Sequence, residues 1–373
     1  MLVKGERRNR MVQVDGYCRA VSEAGTRDQI TGETNGVSRA RRLLGALPGL
    51  GDDAVAIVNG LFGDTLDERA SRLAIPMTIR MGDTVLPLHQ EIPRRGLGAV
   101  MPNASPRICV LVHGLMSTEA IWGFPNESST TYGTLLGQDH DMTVLSVRYN
   151  TGRHISSNGR ELAQLLDVLV RAWPVRVSEI NLIGHSMGGL VVRSACHYGE
   201  SLRLFRRPFR IRRRWTPKVR RIVLIGVPND GAGLEAFVNS TSAALWALPL
   251  PPSRWLGLGL DRRSAGIKDL RFGLIHDEDW LKQDPGSRHR IHPHLPHRLR
   301  RAEHLVIAGT VTADPEHPIA RRIGDALVTS SSAAGRVEEG ELFPGATFQL
   351  FPRLTHNTLA HHPDVYRAMT DWW

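Results

Sequence analysis

At 373 residues, 41% hydrophobic and 23% charged, the chain is long enough to bury a large core as one α/β domain with an insertion. Three cysteines give no disulfide framework, no uncharged run approaches a membrane span, and the polar first 35 residues lack a signal peptide's apolar centre. The expectation is a cytoplasmic protein, soluble or peripheral to a membrane; the net charge of +10 rests on 47 basic residues of which only Lys4, Lys218, Lys268 and Lys282 are lysines, and no nucleic-acid-binding motif accompanies it.

In chain order, residues 1–35 read as a flexible polar arm and residues 36–75 as a helical extension. Within 37–62, Leu43, Leu44, Val55, Ile57, Val58 and Leu61 keep helical spacing, broken at Leu47-Pro48-Gly49-Leu50-Gly51, which predicts two short helices packed on the body or, alternatively, a membrane-docking hairpin. Stretches 75–80 and 84–88 flank Met81-Gly82-Asp83 as a hairpin. Buried strands follow at 108–112, 143–148, 180–183, 221–225, 305–309 and 348–351, with helical stretches between most of them. Short apolar strands alternating with helices predict a mostly parallel sheet covered on both faces.

The strand 108–112 ends in His113-Gly114-Leu115-Met116. A His-Gly pair at a strand end lets the backbone turn close to a substrate, with His113 reading as a structural hydrogen-bonding residue. Trp122, shortly after, is an expected pocket wall. Further on, Gly184-His185-Ser186-Met187-Gly188 follows the run Ile180-Asn181-Leu182-Ile183 and precedes a helical pattern. Strand, sharp turn and helix around G-x-S-x-G form the nucleophile-elbow pattern, in which a strained serine is presented beside a helix N-terminus and a side chain at either flanking glycine would collide with its neighbours. Between the elbow helix and the next strand, residues 203–221 are dense in arginine with Leu204, Phe205, Phe209, Ile211 and Trp215 interleaved; they read as a contact for an anionic membrane or acidic partner, or as a solvated loop.

Beyond Gly231 the strand–helix rhythm fails until about residue 301, where apolar stretches broken by Pro and Gly suit a cap or lid over a site. His289, His292, His294 and His297 in this region are irregularly spaced, join no cysteine and are interrupted by Pro293 and Pro296, so no metal or other cofactor is expected.

A serine hydroxyl needs a base, and the base an orienting acid. In an elbow protein both follow the serine, acid first. Asp325 lies after the penultimate strand in what reads as an exposed loop, and His356 stands just after the last strand, ahead of a closing helix through Val365, Met369 and Trp372. Asp230, in the turn after the sixth strand, competes as the acid; His361 and His362 are nearer to helix-capping positions. The N–H groups of Leu115 and Met187 are the expected oxyanion-hole pair.

Val110-Leu111-Val112-His113-Gly114, the elbow at Ser186, Gly324-Asp325-Ala326-Leu327-Val328 and His356 together resemble the α/β-hydrolase superfamily. Within it the chain is similar to bacterial esterases and lipases related to triacylglycerol lipases and GPI-inositol-deacylase-like hydrolases. The Gly226-Val227-Pro228-Asn229-Asp230-Gly231 turn and His362-Pro363-x-Val365-Tyr366 fit that group, and the resemblance spans residues 76–373, weakest over the insertion at about 232–301. It implies an α/β-hydrolase fold with a cap insertion, a nucleophile at Ser186, an acid at Asp325 and a base at His356. Two departures stand out. Ala326 replaces the second glycine of the usual Gly-Asp-Gly-Leu-Val turn, a mild change, and Thr358 stands where some bacterial lipases carry a calcium-ligating Asp, so no such calcium site is expected.

The resulting expectation is a metal-independent serine hydrolase of carboxylic esters, acting on a small-molecule or lipid ester with an apolar acyl group. Acyl transfer to an alcohol or thiol by the same residues is one alternative, and a catalytically silent binding module is another.

Overall fold

The computed structural model describes residues 51–88, 96–125, 127, 129–201, 215–232, 264–282, 299, 301–314, 324–337 and 340–373. The arm, most of the basic run, most of the cap and the histidines at 289–297 lie outside these residues.

In chain order come α1 (Asp52–Glu68), β1 (Thr78–Met81), β2 (Thr84–Val85), β3 (Arg107–Val112), a 3-10 turn (Glu119–Trp122), α2 (Tyr132–His140) and β4 (Thr143–Arg148). Then follow α3 (Ile155–Ala172), β5 (Glu179–His185), α4 (Met187–Ser201), β6 (Val219–Ile225), α5 (Ala265–Phe272), α6 (Asp277–Lys282) and β7 (Glu303–Thr310). The chain closes with α7 (Ser330–Ala333), a small β8–β9 ladder (Arg336–Val337 and Gly340–Glu341), β10 (Thr347–Pro352) and α8 (Pro363–Trp372).

Eight strands form one sheet in the order β10-β7-β6-β5-β3-β4-β1-β2. From β4 through β10 every pairing is parallel, and the predicted β1–β2 hairpin joins antiparallel at the far edge. Side chains alternate across a strand, and β3 divides its residues accordingly: Ile108, Val110 and Val112 enter one core with α3 and α4, while Cys109 and Leu111 enter the other with Trp122, Tyr132, Val365 and Met369. Burial on both faces explains why the sequence reads there as an unbroken apolar run. Burial pushes the thiols of Cys109 and Cys196 up and keeps them as protonated packing groups.

The helix after Gly51 is longer than expected, running to Glu68 rather than ending at Phe62. It extends because its small and polar positions are contacts, not breaks. Asn150 donates to the carbonyl of Gly63 (2.8 Å), Ser264 to that of Gly60 (2.6 Å), and Asp64 accepts the N–H of Ala265 (2.8 Å). These bonds fix α1 to the loop after β4 and to α5. Arg148 grips both Glu119 oxygens and Asp52 in one bidentate cluster, tying the start of α1 to the turn after β3.

Of the predicted basic surface, Arg220 is exposed, but Lys218 donates to the carbonyl of Val177 (2.5 Å) and Arg221 pairs with Glu179 and Glu303. Among the described residues no helix is long and apolar enough to cross a membrane.

Candidate active site

In a parallel sheet the carboxyl ends of adjacent strands, with the loops that leave them, gather side chains from distant parts of the chain. Here the ends of β3, β5, β6, β7 and β10 do so. Ser186 sits between β5 and α4 at φ +54°, a conformation costly for a residue with a Cβ. It is held there by Ser186 N–H to the carbonyl of Ile225 (2.9 Å) and Gly189 N–H to the carbonyl of Ser186 (3.0 Å). The flanking glycines are required by space: a Cβ on Gly184 would meet Gly189 Cα at 2.5 Å, and one on Gly188 would meet the carbonyl oxygen of Val112 at 2.2 Å.

His356 and Asp325 are bonded side chain to side chain, Nδ1 to Oδ2 at 2.8 Å, and main chain to main chain, His356 N–H to the carbonyl of Asp325 at 2.9 Å. A carboxylate accepts, so Nδ1 carries the hydrogen, and in the neutral imidazole the lone pair is then on Nε2. The other Asp325 oxygen accepts the N–H groups of Leu327 (3.0 Å) and Val328 (2.8 Å). Asp325 is therefore 1% exposed, not in an open loop as its sequence setting suggested. The turn holds Ala326 at φ +82°, a conformation that favours glycine, so the alanine expected to be a mild change carries backbone strain.

The pair adjoins Ser186 through the strands between them. A Cβ on Gly226, the residue after Ile225, would stand 3.3 Å from both Asp325 Oδ2 and His356 Nδ1. On the other side of the serine, a Cβ on Gly114 would stand 2.9 Å from Ser186 Cβ. The Ser186 hydroxyl has no hydrogen-bond partner among the described residues, and neither do the N–H groups of Leu115 and Met187. Met187 opens α4, where an N–H has no partner within its helix. Beyond Leu115 the backbone turns through Met116 at φ +56°, fixed by Met116 N–H to Thr151 Oγ1 (3.2 Å).

His113 is fully buried, stacked on Tyr149 at 4.6 Å, and its Nδ1–H donates to the carbonyl of Gly114 (2.9 Å). Burial lowers its pKa from 6.5 to about 4, so it is neutral and structural. Trp122, expected as a pocket wall, is 1% exposed and sits in the core, its ring nearly perpendicular to that of His185 with 6.3 Å between centroids. Asp230 is exposed, and its turn clamps the acid loop. Asn229 donates to the carbonyl of Ala333 (2.7 Å), Asp230 N–H to Ser332 Oγ (3.1 Å), and Ser332 Oγ to the carbonyl of Gly231 (2.7 Å). His362 caps α8, accepting the N–H of Asp364, and His361 contacts the carbonyl of Ile121.

His185 is a contact that the spacing of the motif did not reveal. Its Nε2 lies 3.0 Å from the carbonyl oxygen of His356, 171 residues away. Among the described residues no group of three or more His, Cys, Asp or Glu is arranged to hold a metal ion.

A family described as "Alpha/beta hydrolase family" matches residues 109–369, most of the chain. Solved structures with a similar course include lipase BlEst2 of Bacillus licheniformis in mature form, 17% identical over 72% of this chain and 92% of that one, TM-score 0.45. Esterase RhEst1 of Rhodococcus sp. ECU1013 is 17% identical over 72% and 91%, TM-score 0.40. Carboxylesterase CesB of Bacillus subtilis is 12% identical over 71% and 82%, TM-score 0.39. No curated protein matches the chain.

Proposed function

The chain belongs to the α/β-hydrolase family, and we propose that within it this protein is a serine esterase that cleaves carboxylic esters through an acyl-Ser186 intermediate. The observation that carries the reading is the Asp325–His356 bond of 2.8 Å beside an unpartnered serine hydroxyl held at φ +54°. An imidazole whose Nδ1–H is engaged by a carboxylate presents Nε2 as a base, and an unengaged hydroxyl is free to turn toward it.

In the proposed cycle His356 Nε2 takes the proton of Ser186 Oγ as the oxygen attacks the ester carbonyl. The carbonyl π pair moves onto oxygen, and the N–H groups of Leu115 and Met187 donate to that oxyanion. Asp325 supports the imidazolium without taking its proton. Collapse re-forms the carbonyl and breaks the bond to the alcohol, which leaves with the proton from His356. Water, deprotonated by the same imidazole, then attacks the acyl carbon and releases the acid and a restored Ser186.

Turnover of p-nitrophenyl esters of increasing acyl length, by the intact chain and by Ser186→Ala, tests this. The variant should stay folded and lose about 10⁵-fold in kcat or more. Unchanged turnover in Ser186→Ala would remove the assignment. Added acceptor alcohol that diverted most product into a new ester would make the enzyme an acyltransferase instead, and absence of any turnover would favour a silent binding module.

A further inference from the structure

We propose that His185 is a positioning residue, holding His356 in register with the serine that His185 itself precedes. This rests on the esterase reading for its catalytic meaning, but its geometry stands alone. His356 lies in a loop between β10 and α8, outside any regular element. Its main-chain N–H goes to Asp325 (2.9 Å), its side chain goes to Asp325 (2.8 Å), and its main-chain carbonyl accepts from His185 Nε2 (3.0 Å). Two of these bonds fix the base relative to the acid. The third fixes it relative to the nucleophile, because His185 and Ser186 share a peptide bond. The circuit from Ser186 to the base therefore runs through one covalent link and one hydrogen bond.

The chemistry of His185 matches that task. A carbonyl can only accept, so Nε2 carries the hydrogen, and Nδ1 is left as a buried nitrogen with no partner among the described residues. The bond to the His356 carbonyl is therefore the hydrogen bond of this side chain among the described residues. Burial, and next the neighbouring His356, hold its pKa well below the usual histidine value. That matters because its ring lies 4.9 Å from the ring that becomes cationic in the reaction. A second cation there would oppose proton transfer, whereas a neutral donor to the main chain does not.

The test compares two amides. Glutamine carries its NH₂ where His Nε2 stands, within reach of the His356 carbonyl; asparagine carries it where Nδ1 stands, one bond too short. With p-nitrophenyl butyrate as probe, His185→Gln should keep kcat within about threefold. His185→Asn should lose about ten- to hundredfold in kcat at unchanged KM. A second readout needs no turnover: the downfield proton resonance of the His356 Nδ1–H bond, identified by its loss in Asp325→Asn, should persist in the wild type and His185→Gln and exchange faster in His185→Asn. Equal kcat in the two variants with equal proton exchange would overturn the positioning role. A wild type that hydrolyses no ester, yet shows the difference in exchange, would contradict the esterase reading and leave the positioning role standing.

Discussion

Asp325 and His356 are joined twice, and the remaining Asp325 oxygen accepts two further N–H groups. By contrast, the Ser186 hydroxyl and the N–H groups of Leu115 and Met187 have no partner among the described residues, and the backbone around them is strained at Ser186 and Met116. The contrast has a physical logic. An acid and base must be aligned before substrate arrives, so their hydrogen bonds are satisfied internally. Groups that meet an oxyanion must have no internal partner to exchange for it, so their alignment is imposed through the backbone. One side is ordered by its bonds, the other by the strands and helix that hold it.

Removing the ordered side gives the largest expected effect. Asp325→Asn keeps the shape but replaces an acceptor oxygen with an NH₂ that can point at His356 Nδ1, favouring the wrong tautomer. Steady-state assays should show a fall in kcat of about 10³–10⁴-fold with melting little changed. A fall below tenfold would mean that another group orients the base.

The donor side is better probed by pH. His113 supports the Leu115 turn and is buried neutral, with its pKa lowered to about 4. Below about pH 6.5 the unfolded chain takes up a proton that the folded chain refuses until about pH 4, so stability falls as pH falls through that window. From pH 7 to pH 5 this one group should remove about 2 kcal/mol, read as an earlier urea midpoint, and the loss should shrink in His113→Gln. Identical pH slopes in the two proteins would show that His113 is protonated in the fold.

The smallest effect sharpens the comparison, because strain also reaches the bonded side. Ala326 at φ +82° pays for the turn that lets Asp325 accept two N–H groups. Ala326→Gly should raise stability by about 1 kcal/mol with kcat unchanged. A destabilised glycine variant in thermal melts would mean that the methyl group packs usefully.

Much of this arrangement was legible in the sequence for identifiable reasons. The strands stand out because a parallel sheet buries both faces, so β3 through β7 read as apolar runs. Ser186 carries its own local signature, and chain order narrows the acid and base to loops downstream of it. What stayed hidden depends on contacts across the fold. Asp325 reads as exposed because its neighbours are Gly, Ala and a serine run, and only the turn geometry buries it. The length of α1 was obscured just past Phe62 by Gly63, which looks like a stop but accepts a hydrogen bond from Asn150 in the loop after β4. His185 lies inside the motif, yet its partner is 171 residues away, and no periodicity links the two.

The most direct test of the account is intact mass after exposure to a fluorophosphonate, followed by peptide mapping. The account predicts one covalent adduct, on Ser186, formed at least about 10³-fold more slowly in His356→Gln. A folded protein labelled elsewhere, or labelled at Ser186 just as fast without His356, would contradict it.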